Sequence, residues 1–230
     1  MRLYLTTALV ALAAAMPSGA VAQNLVANGN FSAGNVGFGS DYPFTSGPAG
    51  SARGTPTYAI GTDAATTANA YPDWGGFGDH TSGTGNMLVA DGALGNAWFT
   101  DVTLAGGTVY DWTFWAHTVH GNTGGSAILS FLVNGVALGV PLTLPANSAS
   151  SWQQLSGSFS AVTSGTARIA IADLNGAVPF NDFALDDISF TARATPGAVP
   201  EPAGWALMIG GFGIVGGTMR RRRATTLATA

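Results

Sequence analysis

TVYDWTFWAHT, residues 108–118, alternates along its length. Tyr110, Trp112, Phe114 and Ala116 fall on one side, and Val109, Asp111, Thr113 and Trp115 on the other. A period of two belongs to an extended strand, whose successive side chains point to opposite faces; a helix would space its apolar residues three and four apart. The next run carries its own turn. AILSFLV (127–133) is followed by Asn134-Gly135 and then VALGV (136–140). Asn-Gly tolerates the positive φ that both central positions of a type I′ hairpin turn require.

Working outward, further strands read at Asn86–Ala90, Ala97–Leu104, Trp152–Ser160, Ala167–Ala172 and Phe183–Thr191. No helix is expected between Asn24 and Pro196. About eight short strands separated by Gly, Asn and Asp turns predict an all-β fold. The expected architecture is an antiparallel two-sheet sandwich, most simply a jelly roll, over residues 23–194, with aromatic side chains filling the space between the sheets.

Composition narrows the function. The 230 residues include no lysine and no cysteine. Between residues 24 and 200 three arginines, Arg53, Arg168 and Arg193, face eleven aspartates. Phosphate neutralisation needs clustered Lys and Arg, so nucleic-acid binding is excluded. Without cysteine there is no disulfide, thiolate zinc site or cysteine nucleophile. Stability must come from an apolar core, with a bound cation as a possible aid.

The two ends read as addresses. Met1-Arg2, the apolar run Leu3–Ala15, the break at Pro17-Ser18-Gly19 and the small residues Ala20-Val21-Ala22 predict a signal peptide over residues 1–22, cut before Gln23. At the other end, residues 195–202 form a linker ending in Pro200-Glu201-Pro202. Ala203–Met219 carries no charge, and Arg220, Arg221, Arg222 and Arg223 open a basic tail over 220–230. About seventeen apolar residues rise about 25 Å as a helix, so 203–219 is expected to span a membrane with the arginines on the cytoplasmic side. Gly211-Phe-Gly213-Ile-Val-Gly216 fits the dinucleotide pattern G-x-G-x-x-G, but it lacks the preceding strand and βαβ unit that the pattern needs.

The order Val199-Pro200-Glu201-Pro202, Trp205-Ala206, Gly211-Phe212-Gly213 and four arginines resembles the PEP-CTERM sorting signal of Gram-negative bacteria in its PEPxxWA form. That resemblance implies processing by an exosortase. It further implies an exported, inner-membrane-anchored precursor, a final place at the cell surface or in the extracellular matrix, and association with exopolysaccharide.

A second resemblance covers the cargo. Asn24-Leu-Val-Ala-Asn28-Gly-Asn30-Phe31, Gly85-Asn-Met-Leu-Val89 and Phe183-Ala-Leu-Asp186-Asp187-Ile-Ser-Phe190 are similar to strands of galactose-binding-like, carbohydrate-binding-module jelly rolls. In that family the first and last strands lie together, and many members hold a structural calcium there. The implied ligands are Asp186 with Asn28 and Asn30, although Ser32 stands where an acidic residue commonly follows the Phe. The alternative is that Asp186 is a buried carboxylate held by backbone N–H groups.

Residues 34–84 are glycine-rich and polar, yet carry Tyr71, Asp73, Trp74, Phe77, Asp79 and His80 within ten positions. A flat aromatic ring beside hydrogen-bond acceptors is what a saccharide requires. Tyr71, Asp73 and Trp74, with Trp98 and His117, are the expected carbohydrate contacts; the alternative is that Trp74 and Phe77 merely plug the sandwich. His117 and His120 have metal-like spacing but point to opposite faces of a strand. Asp73, Asp79, Asp91 and Asp101 are scattered, the cargo has no glutamate, and no G-x-S-x-G elbow occurs, so catalysis is not expected. The reading is an exported surface or matrix protein that binds carbohydrate or exopolysaccharide without catalysis. The alternatives are a structural or adhesive protein with no small-ligand site and, behind it, a glycoside-active enzyme with two converging aspartates.

Overall fold

The computed structural model describes residues 23–46, 54–67, 73–121, 125–176, 180–193, 208–217 and 220. The chain divides into two compact units, Ala22–Arg193 and a second formed by Met1–Val21 with Ala194–Ala230.

The first unit is an antiparallel two-sheet sandwich. Its strands are β1 (Thr57–Gly61), β2 (Met87–Asp91), β3 (Gly95–Leu104), β4 (Val109–Thr118), β5 (Ile128–Val133), β6 (Val136–Thr143), β7 (Gln153–Ser160), β8 (Gly165–Asp173) and β9 (Phe183–Ala192). One sheet runs β1-β2-β9-β4-β7 and the other β3-β8-β5-β6. From β2 to β9 each connection crosses to the other sheet except the β5–β6 hairpin, which stays within the four-stranded one.

The alternation in residues 108–118 has the expected consequence. Tyr110, Trp112, Phe114 and Ala116 enter the core between the sheets. Trp112 stacks on Phe131 of the opposite sheet with centroids 4.5 Å apart, and Tyr110 stacks on Phe190 at 4.9 Å. The hairpin forms where Asn134-Gly135 placed it, with φ of 50° and 78° and Val133 opposite Val136. A Cβ at Gly135 meets open space, so backbone strain alone governs a substitution there. Gly135→Ala should lower stability by about 1 kcal/mol in equilibrium denaturation. Pro141 lies in β6, the edge strand of its sheet, where a missing N–H is tolerated.

Two elements were not foreseen. Strand β1 lies inside the stretch read as irregular; it is a five-residue edge strand without alternation, paired to β2. A single helical turn, α1 (Ala64–Thr67), follows it, and the Asp63 carboxylate caps it by accepting from the Thr66 N–H at 2.8 Å.

The membrane-spanning helix expected over 203–219 is overturned. Among the described residues no helix is long and apolar enough to cross a membrane. Five of the ten residues in the helical run described over 208–217 are glycine, which lowers both helix propensity and hydropathy. The expected membrane partner, the anchored precursor and the exosortase-dependent route to the surface lose their physical basis with it. The signal peptide, Pro200, Glu201, Pro202, Trp205 and Arg221–Arg223 lie outside the described residues; Arg220 is exposed and helical.

Candidate functional site: the outer face of the five-stranded sheet

Because even-numbered residues of β4 fill the core, Asp111, Thr113, Trp115 and His117 face outward. Register extends that face into rows across three strands. Thr191, Asp111 and Ser158 form one row, Ser189, Thr113 and Ser156 the next, and Asp186, Trp115 and Gln154 the third. Half of this face is therefore a bed of short hydroxyl and carboxylate side chains.

The other half is covered. Residues 73–86 fold back over the sheet and build a second, smaller core in which Trp74 joins Met87, Val89, Val119 and Ala184, with Phe77 and Trp152 packed against it. Phe77 stacks on His117 at 3.8 Å, and His80 stacks on Trp115 at 3.7 Å. His80 marks where the cover ends and the open face begins.

A β-bulge holds that boundary. The register of β4 on β9 slips between Thr113 and Trp115, and Asp187 takes φ 46°. Such an insertion re-aims side chains, and here consecutive carboxylates serve one loop. Asp186 accepts from the His80 backbone N–H at 2.9 Å, while Asp187 accepts from the Thr81 hydroxyl and contacts His80 Nδ1 at 2.7 Å. Asp186 is 1 % exposed. Burial pushes its carboxyl up to about 7, with the Asp187 and Asp79 charges adding to the rise and the Asp187 and His80 amides opposing it.

Beside the bulge lies a groove of about 370 Å³ whose walls include Asn24, Gly29, Asn30, Asp187 and Ser189. Residues 24–30 form its far wall by running along β9: Leu25 N–H donates to Phe190 O at 2.8 Å, and Ile188 N–H to Gly29 O at 2.9 Å. The first and last segments of the sandwich are thus neighbours, as the galactose-binding-like resemblance implied.

The sequence-selected residues are distributed differently from the expectation. Trp74 is buried and donates its indole N–H to Asp182 at 3.1 Å, so it offers no open ring. Trp98 is buried in the main core. The β3 register slips between Asn96 and Trp98, so Ala97 and Trp98 are both buried, while Phe99 lies half-buried under the Arg168 guanidinium. His117 is buried between two carbonyl oxygens, Thr118 O at 2.6 Å from Nδ1 and Ser150 O at 2.9 Å from Nε2. Burial lowers its pKa while those carbonyls oppose the shift. Asp73 is exposed on the loop, and Tyr71 lies outside the described residues. His117 and His120 serve different neighbours: the His120 backbone pairs with Trp74 and its ring meets Phe180 edge-on.

The side chains implied by resemblance as calcium ligands make hydrogen bonds within the protein, apart from the buried Asp186 Oδ1, which has no partner among the described residues. Asn28 closes its own loop, donating to Gly34 O and Val36 O and accepting from Ala33 N–H. Asn30 accepts from Ser32. Asp186 faces His80. Among the described residues no group of three or more His, Cys, Asp or Glu side chains is placed to hold a metal ion.

Two aspartates do converge, away from the groove. Asp182 and Asp91, both buried, hydrogen-bond to each other. Asp182 also accepts from Gly92 N–H and Trp74 Nε1–H, and Asp91 from Gly54 N–H and the Thr55 hydroxyl. Burial, reinforced by the Asp91 charge, pushes Asp182 up to about 7. The pair ties three loops together and presents no open face to a substrate.

His80, Asp187 and the groove beside them were not assembled from the sequence. The Asp186-Asp187 doublet inside an otherwise alternating strand was the available sign of a bulge. The partner that reads it, His80, lies more than a hundred residues upstream.

No protein-family model and no curated protein matches the chain. Solved structures with a similar arrangement include the xylan-binding CBM22-1 domain of Paenibacillus barcinonensis Xyn10C, with 12% identity, TM-score 0.47, and 76% of this chain and 97% of that one covered. A cyclase from Fischerella sp. is similar at 12% identity and TM-score 0.49, covering 76% and 98%. The EclA C-terminal domain, titled a sugar-binding protein, aligns at 26% identity and TM-score 0.38 over 44% of this chain and 69% of that one.

Proposed function

We propose that the sandwich binds saccharide without catalysis, in the groove between residues 24–30 and β9 on the outer face of the five-stranded sheet. The observation that carries this reading is the groove itself: a pocket of about 370 Å³ bordered by Asn24, Asn30, Asp187 and Ser189 and continued by the hydroxyl rows of β9, β4 and β7. Sugar hydroxyls need donors and acceptors at fixed spacing beside modest apolar surface. The bed of Ser and Thr hydroxyls supplies the first, and the half-buried His80–Trp115 stack the second. Glycoside hydrolysis would instead need two carboxyl groups facing across an open bond. At the groove Asp187 stands alone on the rim, with Asp186 buried beneath it.

Glycan-array binding with the full chain tests the proposal. Ser189→Trp, at a half-exposed position, should fill the groove and abolish binding while leaving thermal unfolding unchanged. Undiminished binding by that variant would move the site elsewhere.

A second reading, a structural or adhesive protein, is favoured by the burial of both Trp74 and Trp98 and by the exposed valines of edge strand β6, Val136 at 66% and Val140 at 80%. It expects no glycan to bind and concentration-dependent self-association in sedimentation.

A further inference from the structure

Resting on the saccharide reading, we infer that the groove selects uncharged sugars and rejects anionic ones, with Asp187 as the residue that reads the ligand's hydroxyls. Asp187 is the one carboxylate bordering the groove, and its side chain is 27% exposed. Its Oδ2 already receives Thr81 and His80. Among the described residues no hydrogen bond reaches Oδ1, so this groove-lining side chain keeps an uncommitted acceptor. A carboxylate accepts from hydroxyls strongly and has nothing to offer a second anion.

The surroundings reinforce that choice. Asp79, held ionised by its own loop, lies near the rim, so a uronate, sulfate or phosphate group would approach like charge on Asp187 and Asp79. Among the described residues no arginine lines the groove. The chain contains no lysine, and the domain's described arginines are each paired with a carboxylate, Arg193 on the same outer face but off the groove. Arg168 forks onto Asp101 with bonds of 2.8 and 3.0 Å, and Arg193 onto Asp111. His80, the nearest ionisable donor, turns Nδ1 to Asp187 and lays its ring on Trp115. Anionic polymers therefore lack the arginine forks that normally recognise them.

Native affinity electrophoresis of the full chain separates the outcomes. Gels containing hydroxyethylcellulose, xylan or galactomannan are compared with gels containing alginate, all at low ionic strength. Retardation is expected in at least one neutral gel and absent in alginate. Asp187→Asn, which keeps an acceptor for Thr81, should weaken the neutral interaction by about tenfold, and Asn30→Ala on the exposed rim should weaken it as well, each with unfolding temperature held near the parent. Retardation by alginate equal to the best neutral polymer overturns the charge selection while leaving saccharide binding in place. Unchanged affinity in both variants overturns the role of Asp187 and the rim. No retardation in any gel overturns the saccharide reading, and this inference with it.

Discussion

Thermal unfolding should move to lower temperature as the pH is raised from about 4.5 to about 8, the reverse of a domain held by exposed ion pairs. Asp173, Asp182 and Asp186 are carboxyls whose burial raises them to about 6, about 7 and about 7, from an ordinary value of 3.8. Between those limits the folded domain keeps protons that the unfolded chain has released. A group raised on folding stabilises fully below its unfolded pKa, and that contribution is lost as pH climbs through the folded one. Each unit of displacement is worth about 1.4 kcal/mol, so the loss is on the order of several kcal/mol.

His117 and His120 act in the opposite direction, because burial lowers both and the unfolded chain takes up their protons first. They flatten the part of the window below about 6.5. The part near 7 belongs to Asp182 and Asp186. Midpoints measured at half-unit steps decide the matter, and a midpoint constant or rising from pH 6 to 8 contradicts the assignment. Asp182→Asn removes one titrating group of the Asp91–Asp182 pair. It should reduce the slope near pH 7 even though one of Gly92 N–H and Trp74 Nε1–H loses its acceptor, so slope rather than absolute stability is the readout.

Gly29→Ala is expected to destabilise the domain by about 3 kcal/mol through overpacking. Its backbone is not in the left-handed region; the obstacle is contact. A Cβ there would stand 1.9 Å from Ile188 O and 3.1 Å from Val26 Cγ1, and the nearer atom is backbone of a central strand. Segment 24–30 would have to lift off β9, breaking the Ile188-to-Gly29 hydrogen bond and deforming the groove at its far wall. Gly34→Ala is the control: φ is 77° with nothing within 4 Å, so it carries only backbone strain of about 1 kcal/mol. Urea denaturation of the two variants should therefore separate clearly. Equal losses would mean that segment 24–30 is not seated as described.

The strands were legible because a half-buried strand writes its two faces into alternate residues. Residues 108–118 did so, and Asn134-Gly135 marked its hairpin by local φ preference alone. Strand β1 stayed hidden because five residues at an edge need no alternation. Trp98 was misjudged although it shares its parity with Val102 and Leu104 in β3, so alternation within that strand already turned it to the core. Trp74 lay in a stretch whose glycines and polar residues suggested a solvent-facing loop, yet the loop closes over Met87 and Val89.

Sequence by itself determined the all-β class, the positions of β2 to β9 and a strongly acidic domain without lysine or cysteine, since these follow from local periodicity and composition. Only the tertiary structure decided which aromatics are open, which aspartates are buried with raised pKa, and that Asn30, Asp187 and Ser189 border one groove. It also removed the membrane span that an uncharged stretch had suggested. The reason is physical: burial, hydrogen-bond partnership and the width of a groove are set by what arrives from distant parts of the chain, and register, not proximity in sequence, brings those parts together.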